Sequence, residues 1–228
     1  MTQSNSKVKI LALCGILAPI VYVVALVVGN ILDPSYSQVG KTVSELIQQG
    51  APNRDLLNAI FIIYNILTIP FALGMFYGLR KGWARNVIFA ALVINGILGV
   101  AWTLFFPLDI GGKSVSLTGQ LHLIVGALVV PLIFALELSF WRSAKKDSRW
   151  KGYDKFSLAI FAVTFVFGLA TVALVNSDYR GLLERITTGS FLLWVEILAI
   201  KLYKSTQSSM FGSNPKLKSF SKEDEAVF

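Results

Sequence analysis

The 228-residue chain is 54% hydrophobic and 15% charged, whereas about a quarter of the residues of a soluble domain are charged. Its mean hydropathy of +0.64, with several apolar runs longer than ~18 residues, is typical of a membrane protein. The single cysteine, Cys14, excludes an intrachain disulfide and a cysteine-based metal cluster. The net charge of +8 could suit nucleic acid, but its distribution, described below, indicates anionic lipid headgroups instead.

The fold class predicted by these runs is all-α: a polytopic membrane protein with a bundle of six transmembrane helices. About 20 helical residues cover the ~30 Å hydrocarbon layer, and helices satisfy their backbone hydrogen bonds without water. We predict one transmembrane domain over residues 1–204 and a mobile cytoplasmic tail over residues 205–228, which is rich in Ser and Lys. The six spans are Ile10–Leu32, Leu56–Leu79, Asn86–Phe106, His122–Phe140, Phe156–Val175 and Thr187–Tyr203.

The distribution of basic residues predicts the orientation of the spans. Sixteen Lys and Arg residues lie on the side that holds both termini, and five lie on the side of the other three links. Because cytoplasmic loops carry an excess of Lys and Arg, we expect both termini to be cytoplasmic. The predicted location is the cell membrane.

The first outer link, residues 33–54, contains a short helix signal. Thr42 and Glu45 fit a capping box, in which the first and fourth residues cap the helix start reciprocally. Val43, Leu46 and Ile47 fall on one side of this segment. We therefore expect a short amphipathic outer helix over Thr42–Gln49, lying on the mouth of the bundle.

The sequence resembles a prokaryotic six-helix membrane family catalogued as domain of unknown function 998. The residues that carry the resemblance are DPSYSQVGKTVSELIQQGAP in the first link, the FPLD-to-His122 hairpin, and GLLERIT before the last span. The most specific piece is TVSEL, Thr42–Leu46. The chain is more distantly similar to Frag1/DRAM/Sfk1-like membrane proteins. The resemblance implies the six-span topology and implies no activity.

The second outer link carries Asp109 and is followed by His122, the only histidine. We expect the two side chains to pair and to fix the hairpin. Together with Ser44 they are also the candidate catalytic residues, since an Asp, a His and a Ser are the components of nucleophilic catalysis. No G-x-S-x-G or H-E-x-x-H motif supports that alternative.

Further polar residues lie in or near the last span. Adjacent residues on a helix do not face each other, so Glu184 and Arg185 each need another partner, and Arg185 is expected to contact Asp109 or Glu45. Glu196 lies near the bilayer midplane, where a carboxylate is either functional or a neutral group bonded to Asn65, Asn95 or a hydroxyl. Glu137 is expected to reach the cytoplasmic boundary near Arg142.

The leading functional hypothesis is a non-enzymatic bundle that binds a lipid or small amphiphile at an extracytoplasmic polar mouth. The alternatives are a hydrolase or transferase acting on lipid headgroups through Asp109 and His122, and a small proton-coupled carrier using Glu196. We expect no cofactor, no metal and no nucleic-acid partner; the partners are membrane lipids, and the sequence does not define an oligomeric state. The candidate ligand-binding residues are Glu45, Asp109, His122, Glu184, Arg185 and Glu196.

The predicted orientation is testable by labelling from outside the cell. A cysteine introduced at Ser114 should react with a membrane-impermeant thiol reagent, because its link is predicted to be outside. A cysteine introduced at Ser148 should be protected, because its link is predicted to be cytoplasmic. The reverse labelling pattern would contradict the orientation.

Overall fold

The computed structural model of the chain describes residues 2–212, and the side chains of residues 6–206. All its long elements are helices, and six of them are long and apolar enough to cross a membrane, which confirms the predicted fold class. The helices are α1 Thr2–Leu32, α2 Arg54–Gly78, α3 Trp83–Phe105, α4 Leu117–Ala144, α5 Tyr153–Ala173 and α6 Arg180–Gly212.

Two predicted boundaries need correction. The last helix begins at Arg180 rather than Thr187, so Glu184 and Arg185 lie in its first turns. The hydropathy pattern could not find this start because the first turns are charged and are stabilised by bonds to another link. The outer helix is a 3₁₀ helix over Val43–Ile47 rather than a helix over Thr42–Gln49. Of the predicted tail, residues 213–228 lie outside the described residues.

The six helices form a closed ring. Each helix packs against its neighbours along the chain, and α6 returns to pack against α1. The short link between α2 and α3 forces these helices to be antiparallel neighbours. At the same end, Arg80 reaches the carbonyl of Lys146, in the link between α4 and α5, over 3.5 Å. This end also holds the start of α1 and the end of α6, and we call it the termini end.

Two apolar clusters fill the ring. The larger one lies towards the termini end and includes Phe71, Phe140, Trp194 and Leu198, all fully buried. The second lies at the opposite end, between α1, α2 and the first link; it includes Tyr22, Leu46, Leu57, Phe61 and Leu192. The first link is therefore part of the packed interior and is not a loose surface loop.

The three remaining links meet at this opposite end. They are residues 33–53, 106–116 and 174–179, and we call the region that they form the hairpin end. Backbone bonds join the first link to the second link and to the start of α6. Gln49 N–H donates to Leu108 O over 2.8 Å, and Leu182 N–H, just after the third link, donates to Val39 O over 3.0 Å. The three links therefore meet at one end of the bundle.

Close packing of α1 on α2 gives a testable prediction at Gly15. A Cβ atom added there would overlap the ring of Phe71, whereas a Cβ atom at Gly189 of α6 would meet no atom within 4 Å. Gly15→Ala should therefore lower the free energy of unfolding by about 1–3 kcal/mol, as overpacking does. Gly189→Ala is the matched control and should be neutral. Unfolding in detergent measures both variants, and equal stabilities would contradict the packing described.

Candidate functional site

The 3₁₀ helix of the first link organises the hairpin end. The carboxylate of Glu45 accepts hydrogen bonds from the backbone N–H of Thr42 over 2.7 Å and from its hydroxyl over 2.9 Å. The bond from the Thr42 N–H to the Glu45 side chain is one of the two reciprocal bonds of the predicted capping box. Glu45 is only 6% exposed, so its charge requires further partners.

The main partner of Glu45 is Arg180, at the start of α6. The Arg180 guanidinium lies 2.9 Å from Glu45 Oε1, and its Nε donates to the carbonyl of Gly40 over 3.0 Å. One turn further along α6, Glu184 accepts from the backbone N–H of Val43 over 2.8 Å. The sequence analysis missed Arg180, although its position four residues before Glu184 places both side chains on one helix face.

The predicted contact of Arg185 with Asp109 or Glu45 is wrong. Its guanidinium donates to the carbonyl of Lys41 over 2.7 Å and to the hydroxyl of Tyr36 over 3.1 Å. Tyr36 in turn bonds the backbone carbonyls of the first link. Burial raises the pKa of the Tyr36 phenol, so this hydroxyl stays neutral and able to donate. Arg185 thus fixes the first link through its backbone.

The predicted pairing of Asp109 with His122 is also wrong. His122 Nδ1 lies 2.6 Å from the backbone carbonyl of Phe106, and Nε2 lies 3.0 Å from the hydroxyl of Ser44. The His122 ring packs against that of Trp102, with a centroid distance of 4.8 Å, and is 6% exposed. Of the three candidate catalytic residues, the structure therefore brings together Ser44 and His122.

Asp109 instead closes its own hairpin. Its carboxylate accepts from the backbone N–H groups of Val115 and Ser116 over 2.7 and 2.8 Å, and from the amide of Gln49 over 3.2 Å. Hydrogen bonds from the Ser116 hydroxyl and backbone lower the pKa of Asp109. Ser116 also caps α4 by accepting from Gly119 N–H. The turn bends the aspartate back onto the start of α4, away from the histidine.

Glu196 lies apart from the hairpin end, in the middle of α6, and is half-buried. Its Oε2 atom is buried and has no hydrogen-bond partner in the described part of the chain. This atom therefore forms none of the alternative bonds, to Asn65, Asn95 or a hydroxyl, and the Asn65 amide donates to the carbonyl of Phe61 over 2.8 Å. The structure therefore does not bring Glu196 together with the other predicted site residues.

A second intramembrane carboxylate, Glu137, is fully buried at the packed core, so its predicted position near Arg142 at the boundary is wrong. Thr164 donates to its Oε1 over 3.1 Å, whereas Oε2 has no partner among the described residues. The backbone carbonyl of Glu137 accepts from Ser157, which in turn accepts from the indole of Trp194. This chain of bonds ties α4, α5 and α6 together.

A cavity of about 100 Å³ lies at the hairpin end between the end of α1, the first link and the start of α2. Its wall includes three charged residues and two amides, together with apolar residues. The charged residues are Asp33, Lys41 and Glu45, the amides are Gln48 and Asn53, and the apolar residues include Leu46 and Leu57. In residues 2–212 no group of three or more His, Cys, Asp and Glu residues is placed to hold a metal ion.

The family pattern for a protein of unknown function (DUF998) matches residues 16–201, most of the chain, and the protein therefore belongs to this family. No curated protein and no solved structure matches the chain. The similarity to Frag1/DRAM/Sfk1-like proteins stays a prediction. Family membership agrees with the six apolar helices and assigns no activity to the hairpin end.

The ion pair between Glu45 and Arg180 can be tested by a double-mutant cycle. The pair is largely buried on the Glu45 side and about one-third exposed on the Arg180 side. We expect Glu45→Gln and Arg180→Gln to show an interaction energy of about 1–3 kcal/mol in unfolding experiments. In the control cycle Arg185→Gln replaces Arg180→Gln, and its coupling to Glu45 should be clearly smaller. Equal coupling in the two cycles would contradict the assignment of Arg180.

Proposed function

We propose that this protein binds the polar head of a membrane amphiphile at its hairpin end. The observation that carries the proposal is the cavity between α1, the first link and α2, which is lined by polar residues and by apolar residues that include Leu46 and Leu57. The six apolar helices support a position for this end at the membrane boundary. There the amphiphile's chains would lie along the exposed apolar faces of the helices.

Lys41 is the cavity residue that favours an anionic head. Glu45 is neutralised by Arg180, and Asp33 accepts hydrogen bonds from Ser35. Lys41 is exposed, and its ammonium group lies over the Tyr36 ring at 5.7 Å, with no carboxylate partner in the described part of the chain. A phosphate or other anionic group at Lys41 would complete this arrangement.

The predicted ligand-binding residues take different parts in this proposal. Glu45 lines the cavity, and Glu184 and Arg185 support its wall by holding Val43 and Lys41. A proton-coupled carrier that uses Glu196 stays the alternative. Its support is the buried, unpartnered carboxylate oxygen in the middle of α6.

We also propose that the protein lies in the cell membrane with both termini cytoplasmic, so that the cavity faces outward. The support is the excess of Lys and Arg, sixteen against five, on the side that the sequence predicts to hold both termini.

The test uses phosphatidylglycerol, an anionic lipid, and phosphatidylcholine as its neutral counterpart. Purified full-length protein in mild detergent should retain phosphatidylglycerol preferentially, as measured by native mass spectrometry. Lys41→Gln should weaken this retention about fivefold, which corresponds to the ~1 kcal/mol expected for one lysine near an anionic head.

Lys113→Gln is the matched control because it removes an exposed lysine from the same end but outside the cavity. It should leave the retention of phosphatidylglycerol unchanged. Equal losses in both variants, or no preference for phosphatidylglycerol in the unmodified protein, would overturn the proposed head site.

A further inference from the structure

In the hydrogen bond between Ser44 and His122, the donor and the acceptor can be assigned. A backbone carbonyl oxygen can only accept, so the 2.6 Å bond from Nδ1 to Phe106 O places a hydrogen on Nδ1. In the neutral ring Nε2 then carries the lone pair and accepts from the Ser44 hydroxyl over 3.0 Å. A hydroxyl bonded to an imidazole that is itself oriented by a third group is the arrangement of an activated nucleophile.

The two side chains are held from different parts of the chain. Ser44 lies on the 3₁₀ helix next to Glu45, which Arg180 fixes. His122 lies in the first turns of α4, on the other side of the second link. The carbonyl that orients it belongs to Phe106, the residue directly after α3. Their meeting is therefore a product of the tertiary structure.

Ser44 is more exposed than His122. His122 is 6% exposed and is covered by the Trp102 ring. Ser44 is half-buried and is therefore less enclosed than the base. The two residues after Ser44, Glu45 and Leu46, line the cavity assigned above to an amphiphile head.

One hydrogen-bond donor beside this pair has no acceptor. The indole N–H of Trp102 is buried and has no partner among the described residues, although its ring lies against His122. Buried donors are normally satisfied, so this N–H is available to an acceptor that the described residues do not supply. An oxygen atom of a bound substrate would supply it.

We propose that Ser44 and His122 form a catalytic dyad that cleaves a carboxylic ester of a membrane amphiphile. The substrate class rests on the proposed function, whereas the dyad rests on its own geometry. Ester groups of membrane lipids lie just beneath the polar head, and Ser44 directly precedes two residues of the cavity wall, Glu45 and Leu46.

The reaction has two balanced steps. Ser44 Oγ attacks the ester carbonyl carbon and its proton passes to His122 Nε2; the alkoxide leaves with that proton as an alcohol, and an acyl-Ser44 ester remains. Water then attacks the acyl group, again giving a proton to Nε2. The carboxylic acid leaves as the proton returns to Ser44 Oγ. A neutral carbonyl at Nδ1 stabilises the imidazolium less than a carboxylate would, so we expect slow turnover and a readily detected covalent serine adduct.

The test is the reaction of the full-length protein in detergent with a fluorophosphonate, which forms a bond from the serine oxygen to phosphorus as fluoride leaves. Peptide mass spectrometry should locate the adduct at Ser44. His122→Ala should slow its formation about 100-fold or more, the usual contribution of a general base. Added imidazole should restore part of the rate, which a purely structural histidine would not permit.

The controls keep the result interpretable if His122→Ala proves unstable. Ser44→Ala removes one hydroxyl and should abolish both the adduct and the hydrolysis of a 4-nitrophenyl acyl ester. Ser114→Ala, at a half-buried serine of the second link, should leave both unchanged. An unlabelled Ser44 in the folded protein would overturn the dyad, as would ester hydrolysis that survives Ser44→Ala.

Failure of the dyad can be separated from failure of the head site. If phosphatidylglycerol retention persists while Ser44 fails to react, the dyad is refuted and the proposed function stands. If Ser44 reacts through His122 but the protein retains no phosphatidylglycerol, the dyad stands and the head site is refuted.

Discussion

The hairpin end depends on the ion pair between Glu45 and Arg180. A buried carboxylate without a counter-charge would be costly, and this one lies between the apolar ends of the helices. Arg180 compensates the charge and at the same time bonds the carbonyl of Gly40. One guanidinium therefore fixes the side chain and the backbone of the first link against the start of α6.

The other contacts of the first link follow from this anchor. Once Glu45 is held, Val43 N–H meets Glu184 and the Ser44 hydroxyl meets His122. Gln48 accepts from the backbone N–H of Gly112 over 2.7 Å, so the second hairpin is tied to the same segment. The first link thus joins the end of α3 and the start of α4 to the start of α6, which lie apart in the sequence.

The two ends of the ring are stabilised in different ways. Aromatic and aliphatic packing dominates the termini end, where Trp194 and Phe140 are fully buried. At the hairpin end directional hydrogen bonds carry more of the organisation, and the apolar cluster involves α1, α2 and the first link. The polar groups of the hairpin end converge next to the cavity.

The sequence by itself determined the helical membrane fold. Hydropathy is a sum over neighbouring residues, so a span such as Leu56–Leu79 is visible without any knowledge of its partners. The sequence also indicated Ser44, Glu45 and His122 as residues of interest. Only the tertiary structure decided which side chains are paired. The partner of Glu45 is Arg180 and not the expected Arg185, and the partner of His122 is Ser44 and not the expected Asp109. A hydrogen bond between remote segments depends on the direction and the distance of two side chains. Hydropathy summed over neighbouring residues does not contain that information.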